Sequence, residues 1–296
     1  PLSCGVGDYT YHLATEFVKN GYEVSVLCKS NTSIVDYWKK HNEDLDVYAV
    51  GGQWQHSDWK NVVKHIENIA PDTVLFQYVP GAYERYAVPW QLMYFYKELN
   101  KLPVKIVTTF HETYVRYNWS HPKYLYVAVG QRLIARYIAK NSHQLVTSID
   151  RYAHQLKRWN KQVNIIPVGS NILPVPVSCE EIRNLRKSIA PKDEVILCTF
   201  GNRNHQALLE LFEQLLTIKP DTVLLIIGKL NANIEAFPKQ LQYQVRSTGF
   251  LEAAEVYKYL KASDIFILLD KVNKKGEGGL SNKSGALAAA FAAHLS

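Results

Sequence analysis

Polar side chains follow two apolar, strand-like runs in the first half of the chain. His111 and Glu112 lie just past Val104–Thr109 in the segment TFHETY at 109–114, and Tyr78 comes directly after Thr73–Gln77. Ligands of open parallel α/β sheets bind at the edge formed by the carboxyl ends of the strands. These positions therefore predict a binding edge that carries a histidine, a carboxylate and a tyrosine. A purely structural histidine, and a tyrosine packed in a proline turn, remain alternatives.

Glycines open the first predicted helix, in the hexapeptide CGVGDY at 4–9. Backbone N–H groups at such a helix start can approach a phosphate or a sugar hydroxyl closely. A dinucleotide-binding fingerprint would need a third glycine where Thr10 stands, and an acid after the next strand, where Cys28 and Lys29 stand. An NAD site is therefore not predicted, and a plain tight turn remains the alternative to a ligand-binding loop.

Two loops in the second half could hold an anion. Arg203 lies in FGNRNHQ at 200–206, between a strand and a helix, where it could pair with a diphosphate beside the helix amino end. The segment GEGGLSNKSG at 276–285 combines glycines for backbone access, Ser281 as a helix cap and Lys283 as a cation. This composition favours an anion cradle, with exposed, flexible loops as the alternative.

Several catalytic motifs are absent from the sequence. It contains no G-x-x-x-x-G-K-[ST] phosphate loop and no G-x-S-x-G nucleophile turn, so kinase, ATPase and hydrolase interpretations lose their main support. The D-x-D triplet at 44–46 lies in a polar stretch without apolar strands on both sides. A metal site for a nucleotide diphosphate is therefore not predicted.

Strands and helices alternate along the chain and would position these candidates. Helix-length segments separate most strands, and the first has Val6, Tyr9, Leu13 and Phe17 on one face. This alternation predicts βαβ units with parallel sheets. The strand-like runs are Val24–Cys28, Val47–Val50, Thr73–Gln77, Val104–Thr109, Leu145–Thr147, Val163–Ile166, Val195–Phe200, Thr222–Ile227 and Ile265–Leu269.

A proline-rich break divides the chain near residue 170. The segment PVGSNILPVPVS at 167–178 carries three prolines, which resist regular structure. We predict a Rossmann-like domain over 1–168, a linker and lead-in helix over 169–192, and a second Rossmann-like domain over 193–296. A doubly wound domain normally holds about six strands, so we also expect a strand upstream of Pro1 and further elements after Ser296.

The composition is that of an ordinary globular protein, with 47% hydrophobic and 21% charged residues in 296. The four cysteines fit neither a zinc site nor a disulfide framework, so a reducing compartment, the cytoplasm, is expected.

Segment 132–161 holds seven basic residues and one acidic residue, a net charge of +6, just after several aromatic residues. This segment could contact the inner face of an anionic membrane or a phosphorylated acceptor. A solvated helix face is the alternative, and no nucleic-acid partner is expected.

In order and spacing, these motifs resemble those of the large family of retaining glycosyltransferases with the GT-B fold, often called family four. Each motif is loose, but together they cover nearly the whole chain. The matching segments are GVGDYTYHLA at 5–14, LFQYVPGAY at 75–83, VTTFHE at 107–112, VTSIDRYAHQL at 146–156, IIPVGSNI at 165–172, TFGNRNHQALLELFEQLL at 199–216, LLIIG at 224–228, TGFLEAAEVYKYLKASDIFILL at 248–269 and GGLSNKSGALAAAFAAHL at 278–295.

The resemblance implies an α/β protein with two Rossmann-like domains of doubly wound parallel sheets facing a cleft, the second one incomplete. It implies transfer from a nucleotide sugar, a UDP- or GDP-sugar, to an acceptor with retention and without a metal or other cofactor. His111 would be the catalytic contact near the scissile bond. The acceptor side would comprise Gly5, Val6, Gly7, Asp8, Tyr78 and Glu112, and the donor side Arg203, Asn204, Glu277, Gly278, Gly279, Leu280, Ser281, Asn282, Lys283 and Ser284.

Two departures from the family pattern leave alternatives open. Many members carry two glutamates eight positions apart, but Gly285 stands where the partner of Glu277 would be. Many also carry a Lys-Gly pair after the arginine, where Asn204 and His205 stand here, although Lys283 at the last helix start resembles a basic variant of the motif. A catalytically silent nucleotide-sugar- or glycan-binding protein of the same fold is one alternative, and a sugar-nucleotide epimerase is another.

Overall fold

The computed structural model describes residues 5–29, 35–36, 38, 40, 44–117, 121–201, 205–269 and 284–295. They form two compact units, one over Pro1–Pro167 and one over Val168–Ser296. Residues 166–178 form neither helix nor strand. Residues 169–192 belong to the second unit, since Ile172, Ile189 and Ala190 lie in one of its hydrophobic cores.

Parallel strands form the sheets of the first unit. In the described residues, β1 (Ser25–Lys29) pairs with β2 (Asp46–Gly51), and a separate sheet has the order β3 (Thr73–Tyr78), β4 (Lys105–Phe110), β5 (Gln144–Thr147), β6 (Val163–Ile165). The register places Tyr78, Phe110 and Thr147 side by side. The carboxyl ends of three neighbouring strands therefore form one edge, as the sequence predicts.

Helices cover this unit, and their ends follow local capping rules. The described helices are α1 (Gly5–Lys19), α2 (His56–Ile69), the single turn α3 (Pro80–Tyr83), α4 (Gln91–Leu99), α5 (Pro122–Lys140) and α6 (Asp150–Leu156). Proline is the first residue of α5, where a missing N–H costs no intrahelical bond. The main core packs α2, α4 and α5 against the sheet through fully buried side chains, among them Trp59, Phe95, Tyr96, Phe110 and Ile134.

The second unit has one described sheet, also parallel. Its order is β10 (Ile265–Phe266), β7 (Val195–Phe200), β8 (Thr222–Ile227), β9 (Val245–Ser247). Every residue of β8 is buried, and alternate residues enter two different cores, which confirms that helices cover both faces. The described α-helices are α7 (Cys179–Ile189), α8 (Gln206–Ile218), α9 (Lys239–Gln244), α10 (Ala253–Lys261) and α11 (Gly285–Ala292).

The predicted α/β class with parallel sheets is confirmed, with three local corrections. β9 was not expected, because Val245–Ser247 has no apolar run that could reveal a strand. β10 ends at Phe266 rather than Leu269, since among the described strands it pairs with β7 alone and Leu269 is exposed. The last helix is capped by Ser284 rather than Ser281, because the Ser284 hydroxyl accepts the Leu287 N–H at 3.3 Å.

Candidate active site

His111 lies immediately beyond the carboxyl end of β4. Its backbone N–H donates to the carbonyl of Tyr78 at 3.1 Å, which extends the pairing of β3 with β4 by one residue. Its imidazole Nε2 lies 2.7 Å from the side-chain carbonyl oxygen of Gln77, and the ring is half-buried. The sheet and a neighbouring side chain therefore hold this histidine at the sheet edge.

The start of α1 lies beside the same histidine. The Tyr9 ring meets the His111 ring edge-on, with centroids 4.9 Å apart and planes at 84°. Because Tyr9 lies within the first two turns of a helix that begins at Gly5, the stretch from Gly5 to Asp8 belongs to the helix end nearest His111. The Thr10 hydroxyl, where a dinucleotide fingerprint would have glycine, donates to the Val6 carbonyl at 2.7 Å.

Two titratable groups of this helix start are partly desolvated. Burial raises the pKa of the Asp8 carboxyl, and the charge of His12 only partly opposes the shift. Burial also raises the pKa of the Tyr9 hydroxyl. Desolvation strengthens hydrogen bonds and charge interactions, so a polar ligand in contact with this helix start would be held more firmly than at an exposed surface.

Tyr78 lies on the face of the sheet opposite to Gln77 and His111. Its ring is fully buried in the main core, 4.8 Å from the Phe110 ring between centroids. It therefore presents no exposed stacking surface, which matches the packed-tyrosine alternative. Burial, together with the nearby Tyr83 and Glu112, raises the pKa of its hydroxyl far above the ordinary value. Among the described residues, that hydroxyl has no hydrogen-bond partner.

Glu112 is exposed at the sheet edge. Its neighbour Thr113 is buried and donates to the side-chain carbonyl of Gln155 at 2.5 Å, while the N–H of Val115 donates to the side-chain carbonyl of Gln131 at 2.9 Å. The backbone on the carboxyl side of Glu112 is thus attached to α5 and α6. Its carboxylate is accessible to a ligand at the same edge as His111.

The structure adds Ser148, which the sequence analysis did not select. Ser148 follows β5 directly, level with His111 in the parallel register. It is 6% exposed, and its hydroxyl has no hydrogen-bond partner within the part of the chain that the structure describes. The Nε2 atom of Gln77 is also buried and has no partner in the described ranges. The signal that could have found Ser148 is its position directly after a strand, the same signal that selected His111.

The corresponding edge of the second unit is built on glycines. Gly201 follows β7 with φ 109° and Gly228 follows β8 with φ 131°, a region of backbone space that favours glycine. His205, at the start of α8, is buried, and its Nδ1 accepts the Asn231 N–H at 3.0 Å. Sequence reasoning missed His205. Its backbone N–H also donates to the Asn231 carbonyl at 3.1 Å, so His205 connects the start of α8 to the segment after β8.

Most predicted donor-side residues lie outside the described residues. These are Arg203, Asn204, Glu277, Gly278, Gly279, Leu280, Ser281, Asn282 and Lys283. Ser284 is described and caps α11. A Cβ built on the next residue, Gly285, would lie 3.6 Å from the side-chain oxygen of Asn171, so the start of α11 lies near the IIPVGSNI segment.

Neither a metal-binding cluster nor a membrane-spanning helix is present among the described residues. No group of three or more His, Cys, Asp or Glu side chains there is placed to hold a metal ion. Among the helices described, none has the length and apolar character needed to cross a membrane.

GT-B glycosyltransferases have this architecture: two α/β units, each with a parallel sheet, and candidate ligand-binding residues at the carboxyl ends of the strands. The model of glycosyltransferase family 4 matches residues 4–172, more than half of the chain. The protein belongs to glycosyltransferase family 4 and is a glycosyltransferase. The resemblance drawn from the motifs is therefore confirmed.

Solved structures share this fold at low sequence identity. A glycosyltransferase from Rickettsia africae matches with a TM-score of 0.59 and 18% identity, over 90% of this chain and 69% of its own. WaaG, a glycosyltransferase involved in lipopolysaccharide biosynthesis, matches with a TM-score of 0.57 and 13% identity, over 98% and 76%. HepE from Anabaena, in complex with UDP-glucose, matches with a TM-score of 0.57 and 12% identity, over 88% and 69%.

The fold is shared with a second class of enzyme. A UDP-N-acetylglucosamine 2-epimerase matches with a TM-score of 0.54 and 12% identity, over 88% of this chain and 69% of its own. No curated protein sequence matches the chain significantly. The fold therefore agrees with the family assignment without naming a substrate.

Proposed function

We propose that the protein transfers a sugar from a nucleotide-sugar donor, a UDP- or GDP-sugar, to an acceptor hydroxyl with retention at the anomeric carbon. The observation that carries this proposal is the placement of His111. It lies at the carboxyl edge of a parallel sheet, in contact with the helix that starts at Gly5. The UDP-glucose complex of HepE, a protein of similar fold, supports a nucleotide-sugar donor.

The proposed reaction exchanges one bond at the anomeric carbon for another. The bond to the diphosphate oxygen breaks, and its electron pair leaves with the diphosphate. The acceptor oxygen bonds to the same face of the sugar, and its proton passes to the departing diphosphate. We propose that Arg203, Lys283 and glycine N–H groups of the second unit stabilise the negative charge that grows on the diphosphate, so that no metal ion is needed.

On the first unit, we propose that His111 contacts the transferred sugar and that its surroundings bind the acceptor. The N–H groups of Gly5 to Asp8 suit a sugar hydroxyl or a phosphate, because a helix start carries unpaired donors and partial positive charge. The exposed carboxylate of Glu112 can accept a hydrogen bond from an acceptor hydroxyl. Tyr78, which is buried, would act by supporting the edge from beneath.

A donor screen followed by a transfer assay tests the proposal. Thermal unfolding is measured with UDP-, GDP- and ADP-sugars, because a ligand that binds the folded state raises the melting temperature. The stabilising donor is then incubated with and without EDTA, and release of the nucleotide diphosphate is followed. We expect release that EDTA does not suppress, with an α-configured donor giving an α-linked product. An inverted product would contradict retention, and loss of activity in EDTA would contradict metal independence.

Two other functions give different outcomes in the same experiments. A catalytically silent protein would be stabilised by a donor but would release no diphosphate. An epimerase, which the similar UDP-N-acetylglucosamine 2-epimerase structures make worth testing, would convert UDP-N-acetylglucosamine to its 2-epimer without any acceptor. NMR spectra of that single incubation separate the epimerase from the transferase.

We further propose that the basic segment 132–161 contacts an anionic membrane surface, on the cytoplasmic face. Support comes from α5, which exposes Tyr124, Tyr126 and Leu133 next to its basic residues. Aromatic rings and cations together favour the lipid headgroup region. Co-sedimentation with vesicles containing phosphatidylglycerol, but not with pure phosphatidylcholine vesicles, is the expected result. Equal binding to both, or to neither, would contradict the proposal.

A further inference from the structure

Gln77 and His111 form a pair across two neighbouring strands. Gln77 is the penultimate residue of β3, and His111 directly follows β4, which pairs with β3 in parallel. Their side chains lie on the same face of the sheet and approach to 2.7 Å between the Gln77 carbonyl oxygen and His111 Nε2. This is the distance of a good hydrogen bond.

The direction of this hydrogen bond defines the state of the histidine. A side-chain carbonyl oxygen can only accept, so a hydrogen bond at this contact requires the proton on Nε2 of His111. A neutral imidazole carries one proton, and the Nδ1 atom then keeps its lone pair. The bond therefore selects one of the two neutral tautomers of His111.

Gln77 itself is held firmly. Its backbone lies within β3, and its backbone carbonyl accepts the hydroxyl of Tyr83 at 2.5 Å. Tyr83 belongs to the α3 turn that follows the strand and packs into the main core. Tyr9 of α1 also meets the imidazole ring edge-on. The His111 ring is thus constrained by a hydrogen bond from one element and a ring contact from another.

In the described structure, the Gln77 side chain makes no hydrogen bond other than the one to His111. Its Nε2 atom is buried without a hydrogen-bond partner, so the side chain does not connect two parts of the scaffold. A buried amide nitrogen without a hydrogen-bond partner destabilises the folded protein. Glutamine at this position therefore reduces the stability of the folded protein locally. Its hydrogen bond to His111 helps to explain why a glutamine is nevertheless present.

We infer that Gln77 is a positioning residue, which fixes His111 as the Nε2–H tautomer and orients its ring at the sheet edge. Only the predicted effect on sugar transfer depends on the proposed function. The tautomer is a property of the free protein.

The first test measures that property directly. Protein labelled with ¹⁵N in histidine is examined at neutral to mildly alkaline pH by two-bond ¹H–¹⁵N correlation spectra, and the His111 signals are assigned with H111N. We expect a protonated Nε2 and an Nδ1 shift typical of a lone pair. Gln77→Leu, which cannot accept a hydrogen bond, should give a tautomer mixture. Gln77→Glu should keep Nε2 protonated, because its carboxylate also accepts there, and should favour the charged ring at neutral pH. Gln53→Leu, at an exposed glutamine of the same unit, is the matched control.

The second test is kinetic and uses the donor found by the thermal screen. Gln77→Leu should lower kcat by about tenfold or more with a smaller change in KM, since a misoriented ring mainly costs catalysis. Gln77→Glu should recover most of that loss. A protonated Nδ1 in the parent, or unchanged His111 spectra in Gln77→Leu, overturns the inference even if sugar transfer is confirmed. An Nε2–H tautomer without any transfer activity would instead contradict the proposed function alone.

Discussion

The Tyr9 ring stands edge-on against the imidazole of His111, with 4.9 Å between their centroids. Tyr9 belongs to α1 and His111 follows β4, so the contact joins two elements that lie about a hundred residues apart in sequence. Edge-to-face ring contacts contribute about 0.5–1.5 kcal/mol beyond the area they bury. The contact therefore helps to fix the glycine-rich helix start relative to the histidine.

Replacing Tyr9 tests the importance of this contact. Tyr9→Ala should lower the rate of sugar transfer by about tenfold, because the histidine loses one constraint and the helix start becomes less well positioned. Tyr9→Phe keeps the ring and should retain most of the activity. Steady-state kinetics on both variants measure this, and equal losses in the two would show that the hydroxyl, rather than the ring contact, matters.

His111 itself should be essential for turnover. His111→Ala should reduce transfer by about a hundredfold or more, in the range found for residues that contact the reacting centre. Donor binding, measured as the shift in melting temperature, should change much less, because the proposed donor site lies mainly on the second unit. A variant with nearly full turnover would contradict the catalytic assignment.

Gly130 tests the packing of α5. A Cβ at this position would collide with Val88 Cγ1 and lie 3.2 Å from Trp90 Cζ2. Gly130→Ala should therefore destabilise the protein by about 1–3 kcal/mol, the usual cost of overpacking, although alanine is the better helix former. Urea unfolding of this variant, and of its combination with Val88→Ala, is the measurement.

The combination should cost less than the sum of the two single changes, since alanine at 88 makes room for the new methyl group. Gly81→Ala, where a Cβ would meet nothing within 4 Å, is the control and should change stability by less than about 0.5 kcal/mol. An equally large loss in Gly81→Ala would remove the steric explanation.

Arg186 connects the lead-in helix to the second sheet. Its guanidinium donates two bonds to Asp264, both at 2.8 Å, and Asp264 also accepts the Ile196 N–H at 2.8 Å. Both side chains are partly exposed, so we expect Asp264→Ala to cost a moderate amount, about 1–3 kcal/mol. Arg186→Lys should also destabilise, because lysine cannot form the two-pronged bond. A double-mutant cycle by urea unfolding should give a coupling energy clearly above zero.

The cysteines should differ sharply in reactivity. Burial raises the pKa of Cys198 to about 12, so at pH 8 almost none of this thiol is the reactive thiolate. Cys179 is exposed at the start of α7. Iodoacetamide should therefore alkylate Cys179 in the native protein and Cys198 only after denaturation, as read by mass spectrometry. Rapid native labelling of Cys198 would contradict its buried position.

Much of the fold could be predicted from the sequence because its signals are local. Long apolar runs such as Thr222–Ile227 identify buried strands, and Pro80 and Pro122 lie where helices begin. The β9 strand escaped prediction, since Val245–Ser247 has only one apolar residue and is recognised as a strand by its pairing with β8. The cap at Ser284 was misplaced by three residues, because serine occurs twice in that stretch.

The candidate site was predictable in position but not in detail. That His111 and Tyr78 end neighbouring strands follows from the alternating pattern, because parallel strands bring their carboxyl ends to one edge. The sequence by itself determined the element types, the family and this edge. Only the tertiary structure decided that Tyr78 faces the core while Gln77 faces His111, 34 residues away. The physical reason is that strand register, set by packing between distant segments, selects the face of every side chain.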